Sequence, residues 1–152
     1  MQALYPYVKF LHVLLAVIAV GFNATYGIWL ARAEREPAHL GYVLRSVKTL
    51  DDRFANPAYG LLFVTGMINV FIAGLPLTTP WILGGVGLWL VLILGGALVY
   101  TPTLRKQIAA LDAAGADSPA YRDLASRGRT VGMLLGVVAI VIVFLMVVKP
   151  GA

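Results

Sequence analysis

Apolar residues dominate four stretches of the chain, at roughly 6–31, 57–75, 80–100 and 130–148. A helix that crosses the hydrocarbon core of a bilayer needs about 20 mostly apolar residues. Each stretch is long enough for this, and the last three contain no charged side chain. The pattern therefore predicts four transmembrane helices in a single membrane domain, residues 1–152.

The two long polar segments between these stretches, 32–56 and 101–129, are not expected to be irregular. Apolar residues recur in both at helical spacing: Leu40, Val43, Leu44, Val47 and Leu50 in the first, and Leu104, Ile108 and Leu111 in the second. This spacing predicts amphipathic helices that either extend the bundle or lie on the membrane surface. The resulting fold class is an all-α membrane bundle of two tandem helical hairpins.

Three dipeptides predict helix starts: Asn56-Pro57, Thr79-Pro80 and Ser118-Pro119. Each places a residue that can cap a helix directly before a proline. Proline is well suited to the first helical position, because its missing N–H would have no partner there. The segment from 112 to 119 is expected to form a turn.

Composition and charge agree with a membrane location and set the orientation. The chain is 60% hydrophobic and 12% charged, whereas a soluble domain is about 25% charged. Ten of the twelve Lys and Arg residues lie in the two polar segments, and only Lys9 and Lys149 lie elsewhere. The positive-inside rule then places both segments in the cytoplasm and both termini outside, in a multi-pass protein of the bacterial plasma membrane.

Several classes of site are excluded or disfavoured by residue content. Cysteine is absent, which excludes disulfides and thiolate metal sites. The basic residues form no patch interleaved with aromatics, so nucleic acid is not an expected partner. The first apolar stretch is too long for the core of a signal peptide, and we expect it to be retained.

Small residues at four-residue spacing predict close helix packing. Gly128, Gly132 and Gly136 form such a ridge leading into the fourth span. Small residues let membrane helices approach each other closely. The ridge can serve packing within one bundle, or it can bind a second copy or another membrane subunit.

The first span carries a polar stripe. His12 and Asn23 are eleven residues apart, which places them only about 20° from one another around a helix, on a stripe shared with Tyr26. Polar side chains in membrane helices usually face the bundle interior. Thr65 and Asn69, one turn apart in the second span, offer a matching polar face.

His12 is the only histidine inside a span, and several roles are open to it. It can form a hydrogen bond near the interface, ligate haem b iron, relay protons or contact a substrate. Haem would need a second axial ligand from Met67, Met146 or the His12 of a second copy, unless the iron stays five-coordinate. Lys9 lies one turn before His12.

The acids are all expected outside the membrane, including the adjacent Asp51 and Asp52. Ion-coupled pumps usually carry an intramembrane acid, and no phosphate-binding, dinucleotide-binding or metalloprotease motif occurs. These absences argue against primary transport and classical hydrolysis, and they leave catalytic residues unknown.

Two segments resemble known families. The first is Lys9-Phe10-Leu11-His12-Val13, and the second runs from Asp51 to Ala58 and leads into Thr65-Gly66. Together they resemble a bacterial family of predicted integral membrane proteins of unknown function, and more distantly the copper-resistance D and HemJ-type protoporphyrinogen oxidase group. The distant resemblance implies that His12, with Lys9 beside it, is tied to haem.

Three functions follow as hypotheses. The first is a redox or haem-handling protein that binds haem through His12. The second is a non-enzymatic membrane subunit or scaffold that packs through its glycines. The third is a small-solute or metal transporter whose polar path is formed by Asn23, Tyr26, Thr65 and Asn69.

Overall fold

The structure, a computed structural model, describes residues 2–151, and these contain helices and turns but no strand. Six α-helices follow a short 3-10 turn at Gln2–Leu4, and two π-helical turns interrupt them. The helices are α1 (Tyr5–Ala33), α2 (Pro37–Leu50), α3 (Asn56–Ala73), α4 (Pro80–Gly95), α5 (Thr101–Ala114) and α6 (Pro119–Val148). The first π-turn, Asp51–Ala55, joins α2 to α3, and the second, Gly96–Tyr100, joins α4 to α5.

These elements form four continuous helices that are long and apolar enough to cross a membrane, which confirms the predicted fold class. They cover Gln2–Ala33, Pro37–Ala73, Pro80–Ala114 and Pro119–Val148. Large apolar side chains are exposed along them, among them Val17 at 64% and Ile140 at 64%. Only a hydrocarbon solvent makes such an exterior favourable.

The helices pack as two hairpins placed side by side. In the first hairpin α1 packs against α3, and in the second α4 packs against α6, while α1 also contacts α6. Small residues permit the close approach: Ala19 and Ala139 are 0% and 4% exposed at the centre of the bundle. The tandem-hairpin arrangement predicted from the segment lengths is confirmed.

All three predicted starts fall at the first residues of α-helices, but only two of them begin a separate membrane-crossing helix. Pro80 and Pro119 do begin helices, and the Ser118 hydroxyl caps α6 by accepting from the Tyr121 N–H at 3.2 Å. Asn56-Pro57 instead lies inside a continuous helix, directly after the first π-turn. A proline inside an α-helix collides with the carbonyl four residues earlier. The extra residue in a π-turn relieves this collision, so the helix continues past the proline.

The two polar segments extend the bundle and do not lie flat on its surface. Leu40 and Leu44 of α2 are 1% and 0% exposed, packed among residues of α1, α5 and α6. An ion pair of 2.6 Å joins Arg45 of α2 to Asp112 of α5. We call this end of the bundle, formed by residues 32–56 and 101–129, the basic end.

The opposite end holds the turn between the hairpins and both chain ends. Gly74 closes α3 with a positive φ of 66°, a conformation that glycine adopts without strain. The Gln2 side chain donates to the Ile72 carbonyl at 3.5 Å, and the Lys149 ammonium lies 5.3 Å from the centre of the Trp81 ring. We call this the turn end.

Candidate functional site: a cavity between the first and last helices

A cavity of about 420 Å³ lies between α1 and α6, in the half of the bundle nearer the basic end. Its back wall is formed by α4, the second π-turn and α5, and the first π-turn contributes Asp51. Lining residues Gly27 of α1 and Met133 of α6 are exposed on the protein surface, so the cavity opens between α1 and α6. Binding sites for small molecules commonly have volumes of about 300–1,000 Å³. We call this space the α1–α6 cavity.

Asp51 is the most deeply buried charged residue in the cavity wall. The sequence placed it beside Asp52 in a polar segment, but its residue exposure is only 4%, whereas Asp52 is exposed. One carboxylate oxygen, Oδ2, accepts hydrogen bonds from the Thr101 hydroxyl at 3.2 Å and from the Asn56 amide at 3.3 Å. Within residues 2–151, no side chain donates to Oδ1 and no basic side chain pairs with Asp51.

The two π-turns bring these groups together. Asp51 is the first residue of the first π-turn, and Thr101 directly follows the second. Each π-turn is closed by a bond across five residues, from Asn56 N–H to the Asp51 carbonyl and from Thr101 N–H to the Gly96 carbonyl. A proline follows in both cases, Pro57 and Pro102. The bond between Asp51 and Thr101 therefore joins the two hairpins at their π-turns, and π-turns are frequent at functional sites.

Three tyrosines, Tyr26, Tyr59 and Tyr100, also line the cavity. The Tyr59 hydroxyl accepts from the Asn23 amide at 3.1 Å, and the same amide donates to the Ala19 carbonyl at 2.9 Å. Tyr26 is 3% exposed, and its buried hydroxyl has no hydrogen-bond partner among the residues that the structure describes. Two residues of the polar stripe, Asn23 and Tyr26, thus lie on the cavity wall.

An ion pair stands at the edge of the cavity nearest the basic end. Arg129 of α6 donates to both carboxylate oxygens of Glu34, at 2.6 and 2.8 Å. Glu34 directly follows α1, so the pair links the two helices that flank the opening. The same two residues also line a second depression of about 300 Å³ at the basic end. The ion pair therefore separates the two spaces.

The glycine ridge forms part of the cavity wall. A Cβ atom at Gly132 would lie 3.3 Å from the Tyr100 ring, and one at Gly128 would lie 3.5 Å from the Gln107 amide oxygen. These two positions therefore pack against the second hairpin's own residues. A Cβ at Gly136 would meet no atom within 4 Å, so this glycine leaves space in the cavity.

His12 belongs to a different part of the bundle. Its Nδ1 atom lies 2.9 Å from the Thr65 hydroxyl, which itself donates to the Leu61 carbonyl at 2.8 Å. In the tautomer that carries its proton on Nδ1, the imidazole can donate to this hydroxyl while the hydroxyl donates to the carbonyl. A Cβ at Gly66 would lie 3.1 Å from His12 Cε1 and 3.9 Å from Nε2. The ring is packed along the backbone of α3.

This packing does not fit an axial haem ligand that faces an open space, because neither of the two cavities described above includes His12. Its contacts fit a residue that joins α1 to α3. Lys9 is exposed, with its ammonium 5.6 Å from the centre of the Tyr5 ring. Haem ligation by His12 stays a prediction.

The remaining candidates lie toward the turn end. Met146 packs with Val70, Trp81 and Ile82, and a Cβ at Gly85 would lie 2.1 Å from its methyl group. It thus fills the notch that this glycine leaves in α4. Asn69 has a buried side-chain oxygen without a partner, and Met67 is partly buried.

A clustered metal site is not found in the part of the chain that the structure describes. No group of three His, Cys, Asp or Glu side chains there is close enough to hold an ion. The α1–α6 cavity instead offers amides, hydroxyls and two carboxylates, Asp51 and the ion-paired Glu34.

Sequence reasoning missed Asp51 and Gln107 as cavity residues, and it missed Thr101 as the hydrogen-bond donor to Asp51. Gln107 is 5% exposed and donates to the Tyr121 hydroxyl at 3.3 Å. One sequence signal was available. Asn56-Pro57 and Thr101-Pro102 both place a polar residue before a proline at the junction of an apolar and an amphipathic segment, which is where helices bend.

Comparison with known proteins identifies a family for this chain but gives it no activity. No curated protein and no solved structure matches the chain, and the resemblance to the HemJ-type group has no counterpart among these findings. One family model matches residues 6–150, almost the whole chain. The protein therefore belongs to the family described as predicted integral membrane protein (DUF2269).

Proposed function

We propose that the protein is a solute-binding protein of the bacterial plasma membrane and that the α1–α6 cavity is its binding site. The observation that carries this proposal is a cavity of about 420 Å³ whose wall combines a buried carboxylate with amide and hydroxyl groups. Of the three sequence hypotheses it is closest to the small-solute transporter. The polar path, however, passes through Asp51, a residue that the hypothesis did not include.

The glycines around the cavity support a space kept open for a ligand. Membrane helices use glycine to bring backbones into contact. At Gly27, Gly96 and Gly136, however, a Cβ would meet no atom within 4 Å, and all three line the cavity. A glycine with no atom opposite its Cβ position enlarges the cavity and does not bring two helices into contact. A scaffold that packs through its glycines would have no need of this space.

The orientation of the helices in the membrane decides from which side a solute would reach the cavity. Ten of the twelve basic residues lie at the basic end, which the positive-inside rule assigns to the cytoplasm. The opening between α1 and α6 would then admit a solute from the cytoplasmic half of the membrane. The Glu34–Arg129 pair lies where such a solute would enter.

Access of water-soluble molecules tests the proposal, and the absence of cysteine makes the test direct. Single variants Gly136→Cys and Gly21→Cys are treated in vesicles with a trimethylammonium-ethyl methanethiosulfonate, which reacts with hydrated thiols. A Cβ has open space around it at both positions, but only Gly136 lines the cavity.

We expect rapid modification at position 136 and slow modification at position 21, which faces outward from an apolar part of α1. Equal, slow modification at both positions would mean that the cavity is a lipid-filled groove. A packing subunit or scaffold would then be the better proposal.

Haem binding through His12 is a separate proposal, taken from the sequence. It requires the α1–α3 contact around Thr65 and Gly66 to open, because the imidazole ring is packed there. Its test is optical and independent of the cavity.

A further inference from the structure

Asp51 gives the α1–α6 cavity a buried carboxylate that forms no ion pair with any side chain in residues 2–151. The residue is 4% exposed, and its Oδ2 atom is held by the Thr101 hydroxyl and the Asn56 amide. Both donors are neutral. A buried ionised carboxylate is costly unless a cation or several hydrogen bonds compensate for its lost hydration.

The two basic side chains best placed to compensate are already engaged. Lys48 lies one turn before the first π-turn, and its ammonium pairs with Asp52. Arg129 lines the cavity, but its guanidinium binds both oxygens of Glu34. The unbalanced charge of the cavity is therefore that of the Asp51 carboxylate, which favours a cationic ligand over an anionic one.

The rest of the wall favours an organic cation. The aromatic rings of Tyr26, Tyr59 and Tyr100 line the same space, and ring faces attract ammonium groups. A bare metal ion would use little of the 420 Å³ volume and none of the apolar wall.

We propose that the α1–α6 cavity binds a small organic ammonium ion, whose charged nitrogen is held by the free Oδ1 atom of Asp51 and whose carbon chain lies among the tyrosines. This inference rests on the proposed function and names its ligand class. The ammonium can belong to a soluble amine or to the headgroup of an aminolipid that enters between α1 and α6.

Protection of the engineered thiol measures binding. Gly136→Cys protein is reconstituted in phosphatidylglycerol nanodiscs, which contain no amine, and its modification rate is measured with and without butylammonium chloride. Sodium chloride and potassium chloride at equal ionic strength serve as the metal-ion arms. A fourth arm uses nanodiscs that contain phosphatidylethanolamine and no added butylammonium.

Two further variants isolate the carboxylate. Asp51→Asn in the Gly136→Cys background keeps the side chain's shape and removes its charge. Asp123→Asn makes the same change at an exposed position of α6 that does not line the cavity. Protection is expressed as the ratio of rates within each variant, so that any effect of charge on the cationic reagent cancels.

We expect butylammonium to protect the thiol in the Asp51 protein and in Asp123→Asn. In Asp51→Asn we expect the apparent affinity to fall about ten-fold or more, because a charge-assisted hydrogen bond is lost. Protection by phosphatidylethanolamine alone would identify the lipid headgroup as the source of the ammonium, and protection by butylammonium alone would identify a soluble amine.

Other outcomes overturn the inference. Equal protection by sodium or potassium would assign the site to metal ions, and unchanged protection in Asp51→Asn would remove the carboxylate from the site. Unprotected but rapid modification would reject the ammonium ligand and leave the cavity as a solute site. Slow modification without any ligand would reject the cavity itself. Asp51→Asn protein that is still modified rapidly without ligand has kept its fold.

Discussion

The unpartnered hydroxyl of Tyr26 gives an unusual expectation, because its removal should stabilise the empty protein. Tyr26 is 3% exposed, and its hydroxyl oxygen is buried without a hydrogen-bond partner. A buried polar group left unpaired costs about 1–3 kcal/mol. Tyr26→Phe removes that cost and keeps the ring, so the free energy of unfolding should rise by roughly this amount.

Tyr59→Phe is the matched control, since it makes the same change on the same cavity wall. The Tyr59 hydroxyl does have a partner, accepting from the Asn23 amide at 3.1 Å. Its removal should lower the free energy of unfolding by about 1 kcal/mol. The two substitutions should therefore act in opposite directions although they delete the same atom type.

Thermal unfolding of the purified protein in detergent measures both effects. For a chain of this size, 1 kcal/mol corresponds to a shift of about 2–4 °C in the unfolding midpoint. A lower midpoint for Tyr26→Phe would refute the reasoning, because it would mean that the hydroxyl has a partner in the empty protein.

Three further predictions concern the rest of the molecule. Gly136→Ala should leave the unfolding midpoint unchanged or raise it, since a Cβ at this position meets no atom within 4 Å among the described residues. Gly132→Ala should lower the midpoint, because its Cβ would lie 3.3 Å from the Tyr100 ring. The reverse order of the two midpoints would contradict the assigned packing. A double-mutant cycle on Glu34 and Arg129 should give a coupling of about 1 kcal/mol or less, because the pair is solvent-exposed; a much larger coupling in detergent would mean that the pair is desolvated. Purified protein that binds haem should show a Soret absorption band that His12→Ala abolishes, and a colourless protein would reject the haem proposal.

The hydrophobic pattern by itself determined the architecture. A segment of about 20 apolar residues without charge has no stable alternative to a membrane-spanning helix, because every backbone polar group must be paired within the segment. The four spans, the hairpin pairing and the helical character of the two polar segments therefore follow from local sequence. The apolar spacing of Leu40 and Leu44 also predicted a buried face, and both side chains are buried.

The tertiary structure decided which polar residues meet. Asp51 and Thr101 are fifty residues apart, and no local pattern shows that two neighbouring helices bring them within hydrogen-bonding distance. From the sequence alone, Asp51 and Asp52 were both expected outside the membrane, and nothing distinguished one carboxylate from the other.

The same limit applies to His12 and to the glycine ridge. His12 and Asn23 share a helical stripe, yet His12 packs on Gly66 in α3 while Asn23 bonds to Tyr59 at the cavity. A polar stripe indicates which face of a helix points into the bundle. The environment of each residue in that stripe depends on the helix packed opposite it. Whether a glycine brings backbones together, as at position 132, or leaves room, as at position 136, depends on what lies opposite. That is decided only when the helices are assembled.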